Sequence, residues 1–211
     1  MTGDVLEDEV PRRLRAERER RGISVRELAR RLDVSPSAIS QIETGRARPS
    51  VATLYAIVTE LGMSLDELFD HDVGRRPGPD DDGGLGRAVV RASARESLDL
   101  GTGVRWERLT RNADPNVDFL FVTYDAGGAS SPDGQLMRHS GREYGVVLTG
   151  TLRVTVAFET RELEPGDSIW FESTSPHRLS NEGDEPVTAI WMVIGRHGSD
   201  PRATGFAPAS G

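Results

Sequence analysis

The amino-acid sequence predicts a multidomain α + β protein, with an N-terminal bundle of five helices and a C-terminal all-β barrel. Apolar residues recur at helical spacing over residues 10–70, and apolar and polar residues alternate over residues 88–196. A stretch rich in Gly, Pro and Asp separates them at residues 71–87 and predicts a flexible linker. The 211 residues leave room for two small cores. Residues 1–9 and 197–211 are predicted to be a disordered N-terminus and a flexible tail.

Capping signals divide the first region into helices. Pro11 is predicted to begin the first helix, and Ser24 with Glu27 forms a capping box for the second. Ser35 caps the third helix, which Gly45 ends. The fourth helix follows the cap at Ser50 and carries an apolar stripe, and a short fifth helix ends at Phe69. The stripe consists of Leu54, Ile57, Val58 and Leu61.

The outward face of the third helix carries short, uncharged hydrogen-bonding side chains, which is unusual for a solvated helix. Base edges in the major groove are recognised by such neutral donors and acceptors at close range. Arginines in the following loop are placed to reach phosphates. We therefore predict a DNA-binding hairpin in preference to an ordinary helical one. Its predicted contact residues are Arg26, Ser35, Ser37, Ala38, Ser40, Gln41, Thr44, Arg46 and Arg48.

The segment Ile39–Ser50 has the pattern Ile-Ser-Gln-Ile-Glu-x-Gly-x-x-x-Pro-Ser. It resembles the helix-turn-helix of the xenobiotic-response-element (Cro/CI-like) repressor family, and the resemblance covers Leu14 to Phe69. It implies a lambda-repressor-like bundle that binds double-stranded DNA. One recognition helix contacts only a few base pairs, so sequence-specific binding calls for a homodimer on two half-sites.

The charge distribution supports a division of labour between the two domains. The net charge is −8. Residues 12–50 nevertheless carry 11 Arg against 5 acidic residues, a local charge of +6, whereas residues 71–211 carry 15 Arg against 21 acidic residues, or −6. This asymmetry is expected when one domain binds DNA and the other does not.

Composition excludes several kinds of chemistry. The chain has no Cys, which rules out disulfides, thiol nucleophiles and Cys-type zinc sites. Every basic residue other than His is Arg, so chemistry that depends on a Lys amine is absent. The acidic N-terminus is unlike a secretory signal, and no apolar run is long enough to span a bilayer. We expect a cytoplasmic protein with no membrane partner.

Short strands at intervals of about ten residues, separated by Gly, Pro, Asn and Asp, predict an all-β sandwich or barrel in the second region. The predicted strands are residues 88–92, 104–109, 118–124, 144–148, 152–158, 161–163, 168–171, 177–180 and 187–194.

Two segments of this region carry spaced polar residues. The first contains His139, Glu143 and Gly150 in a His-x3-Glu-x6-Gly pattern, and the second contains His177 and Asn181 after a Pro-Gly-Asp turn. Together they resemble the two motifs of the cupin family over about residues 88–196. The resemblance implies a double-stranded β-helix barrel.

Metal-bearing cupins use two His and one Glu from the first motif and one His from the second. His139, Glu143 and His177 match three of these positions, while the fourth, two residues before His139, is Met137, a poor ligand for a hard divalent ion. Two His and a carboxylate are enough for a facial triad, so Fe, Zn, Mn or Ni is a candidate cofactor. In the alternative, the three side chains hydrogen-bond one another or a ligand, with no metal.

The barrel interior is also a candidate effector site, because apolar walls with a few converging polar groups are typical of small-molecule pockets. Trp106, Arg108, Tyr124 and Trp191 are additional candidates that are equally consistent with plain core, and an inward Arg would suit an anionic group. The predicted ligand-binding residues are Arg138, His139, Glu143, Tyr144, Trp170 and His177.

The predicted function is a sequence-specific transcription regulator with no catalytic residues, in which the barrel binds a small-molecule effector and promotes dimerisation. One alternative is an Fe(II)-dependent oxygenase or epoxidase, since enzymes with this domain order and a His/Glu/His triad exist. In such enzymes a Lys from the helical domain can complete the active site, and this chain has none. A third alternative is an antitoxin or a scaffold with no ligand.

Overall fold

The structure is a computed structural model, and it describes residues 3–63, 65–69, 88–111, 114 and 116–195. The linker predicted at residues 71–87 and the tail predicted at residues 197–211 lie outside these residues.

The N-terminal region is helical and follows the predicted caps. Within the described residues it comprises four helices of seven or more residues and one further helical turn, rather than five full helices: α1 (Gly3–Arg20), α2 (Val25–Arg31), α3 (Pro36–Glu43), α4 (Val51–Glu60) and the turn α5 (Leu65–Phe69). The hydroxyls of Ser24, Ser35 and Ser50 each accept a hydrogen bond from the amide three residues on, at 3.1 Å. None of these helices is long and apolar enough to cross a membrane.

The first helix differs from the prediction. α1 begins at Gly3 and contains Pro11 in its interior, so the prediction of disorder is wrong for residues 3–9. Proline removes one hydrogen bond from a helix, but Val10 and Leu14 on either side are buried in the core and anchor the segment.

The C-terminal region is built from nine described strands in two antiparallel sheets. The strands are β1 (Ser97–Leu100), β2 (Val104–Arg108), β3 (Val117–Tyr124), β4 (Arg142–Thr149), β5 (Leu152–Val156), β6 (Glu159–Leu163), β7 (Ser168–Glu172), β8 (His177–Ser180) and β9 (Val187–Ile194). The larger sheet has the order β1-β2-β3-β9-β4-β7, and the smaller has the order β6-β5-β8. Bridges at Ala129–Ser180 and Met137–His177 connect the loop after β3 to the smaller sheet.

Eight of the nine predicted strands are present, with ends that differ by a few residues. The strand predicted at residues 88–92 is wrong, because that segment leads into a short 3-10 helix at Ala92–Ala94. The edge strand is β1 instead, in which Leu98 and Leu100 point inward. Its alternation is only four residues long, which is too short to stand out in the sequence.

The helical region packs against the barrel, and the two share one continuous buried core. The amide of Ala52 donates to the carbonyl of Ser130 at 3.0 Å, and the amide of Gly101 donates to that of Pro49 at 2.7 Å. The linker is therefore not the only connection between the two regions.

Candidate DNA-binding surface and metal centre

The predicted DNA-contact residues lie together at the surface around α3. Arg26, Ser37, Ser40, Gln41 and Arg46 are exposed. Ser35, Thr44 and Arg48 are also exposed, whereas Ala38 is half-buried. Within the described residues, neither Arg26 nor Arg46 takes part in an ion pair. This is the composition that a major-groove surface needs.

Local hydrogen bonds narrow the set of side chains that can contact bases. Ser35 uses its hydroxyl as the cap of α3, and the hydroxyl of Thr44 donates to the carbonyl of Ser40 at 2.8 Å. Arg48 lies 3.7 Å from the carboxylate of Asp99 in β1, so it also contributes to the contact between the domains. Ser37, Ser40 and Gln41 are consequently the main candidates for base recognition.

A buried ion pair fixes the position of α3. The guanidinium of Arg18 in α1 donates to both carboxylate oxygens of Glu43, at 2.6 and 2.8 Å, and also to the carbonyl of Ile23 at 2.7 Å. Both side chains are buried, and the fork geometry holds α3 in one orientation against α1.

In the barrel, three predicted side chains converge. The Nε2 atoms of His139 and His177 lie 3.0 and 3.1 Å from the same oxygen, Oε1 of Glu143, and all three side chains are buried. His139 stands in the loop before β4, Glu143 near the start of β4 and His177 at the start of β8. The two sheets thus bring together residues from two distant segments of the sequence.

The hydrogen bonds around the triad determine which nitrogen of each imidazole carries a proton. Nδ1 of His139 lies 2.9 Å from the carbonyl of Ser140, and Nδ1 of His177 lies 2.8 Å from that of Ser175. A carbonyl only accepts, so each Nδ1 is a donor and a neutral ring directs its Nε2 lone pair towards Glu143. Neither Nε2 nor Oε1 has a well-formed hydrogen bond to any described residue. Three buried acceptors facing one another require a proton or a cation between them.

The pKa values of Glu143 and His177 reflect this arrangement. Burial alone would raise the pKa of Glu143, but the adjoining imidazoles outweigh burial and hold that pKa well below its usual range. Burial likewise tends to lower the pKa of His177, and the facing carboxylate raises it above its ordinary value. The site therefore favours a net positive partner beside the carboxylate.

Trp191 orients the carboxylate from the opposite side. Its indole N–H donates to Oε2 of Glu143 at 2.7 Å, which leaves Oε1 to face the two histidines. The ring lies across Gly145, where any Cβ would overlap the indole. A glycine inside β4 is thus needed for this close approach.

Three predicted ligand residues do not lie in the barrel interior, so the prediction that they line it is wrong. Arg138 is exposed, and Trp170 is 62% exposed. Tyr144 pairs with Trp170 across β4 and β7. Both lie on the outer face, because successive side chains of a strand point to opposite faces and Glu143, the residue before Tyr144, points inward. The guanidinium of Arg142 lies 5.3 Å above the Trp170 ring on that outer face. Apolar residues occupy both faces of these strands, so the sequence pattern did not distinguish inside from outside.

Of the additional candidates, Trp106, Tyr124 and Trp191 line an internal cavity next to the triad. Arg108 is buried but lies 3.0 Å from the carboxylate of Glu96, away from this cavity. Sequence reasoning missed two residues of α4, Val51 and Tyr55, which also line the cavity. The sequence did carry a sign of this contact. The fourth helix is apolar on two faces, so each face must pack against another part of the protein.

Comparison with known proteins agrees with this architecture. A helix-turn-helix family model matches residues 14–68, and a cupin domain model matches residues 120–193. The chain is a helix-turn-helix protein with a cupin domain.

The HTH-type transcriptional regulator PuuR of Escherichia coli is 28% identical over 188 residues, which cover 88% of this chain and 92% of PuuR. A structure of an HTH_3 family transcriptional regulator from Vibrio cholerae has a TM-score of 0.62 at 24% identity and covers 90% of this chain and 97% of that one. A structure of hydroxypropylphosphonic acid epoxidase from S. wedmorenis has a TM-score of 0.44 at 21% identity and covers 89% of this chain and 98% of that one.

The triad of the cupin domain fits a divalent metal ion. Two ligands at right angles around an ion, each at about 2.1 Å, are about 3.0 Å apart, and the two imidazole–carboxylate distances are 3.0 and 3.1 Å. The donor set of two imidazoles and one carboxylate suits Fe, Zn, Mn or Ni. Met137 is buried beside the site and supplies no hard ligand there.

Proposed function

We propose that this chain is a DNA-binding transcriptional regulator that recognises its operator through α3 and uses the cupin domain as a sensor. The exposed, neutral polar face of α3 carries this proposal. PuuR, which matches nearly the whole chain, is a regulator, and this supports the proposal over an oxygenase. The helical region is then a lambda-repressor-like bundle in which Ser37, Ser40 and Gln41 contact bases.

Matched substitutions test base recognition. Gln41→Ala should weaken binding to the selected sequence by about 1–3 kcal/mol and leave binding to random DNA nearly unchanged, because it removes a base contact. Arg46→Ala should weaken binding to both and lower the salt dependence by about one counterion, because it removes a phosphate contact. Arg161→Ala, an exposed arginine of β6, is the control.

The measurement is fluorescence anisotropy at several salt concentrations, on a sequence that the protein selects from a random DNA pool. If Gln41→Ala reduced binding to all sequences equally, base recognition by α3 would be refuted.

We further propose that His139, Glu143 and His177 hold a divalent metal, which would offer open coordination positions to an effector. The facing lone pairs of the triad support this assignment. Elemental analysis of the purified protein should find about one metal ion per chain, and His177→Gln should lose it. The variant Met137→Leu, which changes no ligand in this scheme, should keep its metal.

Dimerisation belongs to the same proposal, and the outer face of the larger sheet is suited to it. The register places one set of apolar side chains together on this face: Tyr144, Val146, Trp170, Ile190, Met192 and Ile194. Antiparallel sheets normally present a polar outer face to water, and large exposed apolar patches mark interaction sites. We infer that a second copy of this chain covers the face, as recognition of two half-sites requires.

A further inference from the structure

The fourth helix belongs to the DNA-binding domain, yet one of its faces forms a wall of the cupin site. Leu54, Ile57 and Val58 are buried in the predicted stripe, while Val51 and Tyr55 lie one turn apart and border the barrel cavity. Tyr55 is only 4% exposed. The same helix thus touches both the core of the DNA-binding domain and the sensor.

Tyr55 lies directly against a residue of the triad. Its ring stacks on the imidazole of His139 with centroids 4.2 Å apart and planes 9° from parallel. It also meets Trp106 edge-to-face at 5.6 Å and 66°. These contacts replace solvent on one side of the metal site.

The cavity that Tyr55 closes is too small for a metabolite. Its volume is about 20 Å³, enough for a water-sized occupant. The walls are apolar and aromatic apart from Ser130, and Glu143 and His177 are the ionisable groups besides the tyrosine hydroxyls. A ligand that fits this chemistry is a small, largely apolar molecule with an oxygen donor for the metal, and it needs the space that Tyr55 fills.

Two backbone hydrogen bonds between the domains lie close to Tyr55 in the sequence. They join Ala52 to Ser130 and Gly101 to Pro49, and both Ala52 and Pro49 shortly precede Tyr55 in the sequence. At Gly101 any Cβ would lie 2.6 Å from the carbonyl oxygen of Arg48, so this contact depends on a glycine. Displacing Tyr55 would therefore also disturb the docking of the whole helical domain.

We propose that Tyr55 couples the two domains: it closes the cupin site, and a ligand larger than a metal-bound water enters only when Tyr55 and the DNA-binding domain move off the barrel. Occupancy of the sensor and docking of α4 on it then exclude each other. This inference rests on the sensor role proposed above and names how that role controls the DNA-binding domain.

Tryptophan fluorescence tests closure without any metal or ligand. The chain has three tryptophans, and in a Trp170→Phe background the remaining two, Trp106 and Trp191, both line the cavity. Tyr55→Ala should make them markedly more accessible to quenching by acrylamide. Tyr55→Phe keeps the ring and should not, and neither should Thr59→Ala, an exposed change on the same helix.

A second variant guards against simple misfolding. Gly101→Val changes no residue of the cavity but places side-chain atoms against the Arg48 carbonyl, so it should increase quenching as Tyr55→Ala does while circular dichroism stays unchanged. If both folded variants were quenched like the parent, the closure by Tyr55 would be refuted.

A binding experiment tests the exclusion of ligand. It uses cobalt as the metal and then acetohydroxamate, a bidentate oxygen chelator, as the ligand. Cobalt alone should bind the parent and Tyr55→Ala with similar affinity, because the triad is intact in both. Acetohydroxamate should bind cobalt-loaded Tyr55→Ala about tenfold more tightly, because the parent must first open. Equal chelator affinity would contradict the exclusion, whereas cobalt binding to neither protein would contradict the metal site and leave closure to be decided by quenching.

Discussion

At the scale of single residues, the cupin site depends on the two oxygens of the Glu143 carboxylate, which have different partners. Oε2 of Glu143 accepts from Trp191, and Oε1 faces the two histidines. Groups that orient a metal ligand are commonly as important as the ligand itself. The indole is therefore part of the site although it would never touch the metal.

Trp191→Phe should weaken metal binding by about 10–100-fold, because the carboxylate loses the donor that fixes its orientation. Trp106→Phe removes an indole from the same cavity with no bond to Glu143, so it should have little effect. Cobalt titration followed by absorbance measures both affinities. Equal losses in the two variants would show that cavity packing, rather than the hydrogen bond, matters.

The pH dependence of the metal-free protein follows from the directions of the two pKa shifts. Glu143 has a pKa below its ordinary 4.5, so it contributes stability above that value that is lost as the pH falls through its folded pKa. His177 has a pKa above its ordinary 6.5, so it contributes stability below that value that is lost as the pH rises through its folded pKa. The window in which both contribute lies between 4.5 and 6.5.

Metal affinity should increase as the pH rises towards the pKa of His177, because a metal ion must displace the proton that His177 retains. We expect the dissociation constant to fall by about tenfold per pH unit until the pH passes the pKa of His177. Calorimetry in two buffers of different protonation enthalpy counts the protons released. Binding without proton release just below that pKa would contradict the shift.

At the scale of elements, the orientation of α3 depends on the buried Arg18–Glu43 pair. Glu43→Ala leaves the guanidinium buried without its partner and should lower the free energy of unfolding by about 3–5 kcal/mol. Arg30→Ala breaks an exposed pair with Glu27 on α2 and should lower the free energy of unfolding far less. Urea denaturation measures both, and similar losses would contradict a structural role for the buried pair.

Features set by local sequence could be predicted, and those set by distant contacts could not. The caps at Ser24, Ser35 and Ser50 depend on three or four neighbouring residues, and the structure has them. The inward direction of Glu143 followed from its motif, whereas that of Trp170 depends on strand parity in a sheet whose two faces are both apolar. Tyr55 joins the site only because the helical domain docks on the barrel, which no local pattern encodes.

At the scale of the whole molecule, the proposed assembly follows from a mismatch between the DNA-binding surface and its target. One α3 offers three main candidate side chains for base contact, too few to select an operator alone. The apolar outer face of the larger sheet is the proposed dimer face, and it lies on the side of the sheet opposite the proposed metal site. Dimerisation and sensing can therefore be disturbed separately.

Trp170→Glu provides that separation, because it places a charge on the proposed dimer face at its most exposed apolar side chain, while Trp170 does not line the cavity. We expect sedimentation to show monomers where the parent forms dimers, since a buried unpaired charge is strongly unfavourable at an interface. Affinity for a two-half-site operator should fall steeply, while cobalt binding and affinity for a single half-site stay close to those of the parent. The matched control is Phe158→Glu, a change at another exposed aromatic residue, in the turn between β5 and β6 away from that face. A monomeric Trp170→Glu variant that still bound the full operator like the parent would show that pairing through this sheet is not what selects DNA.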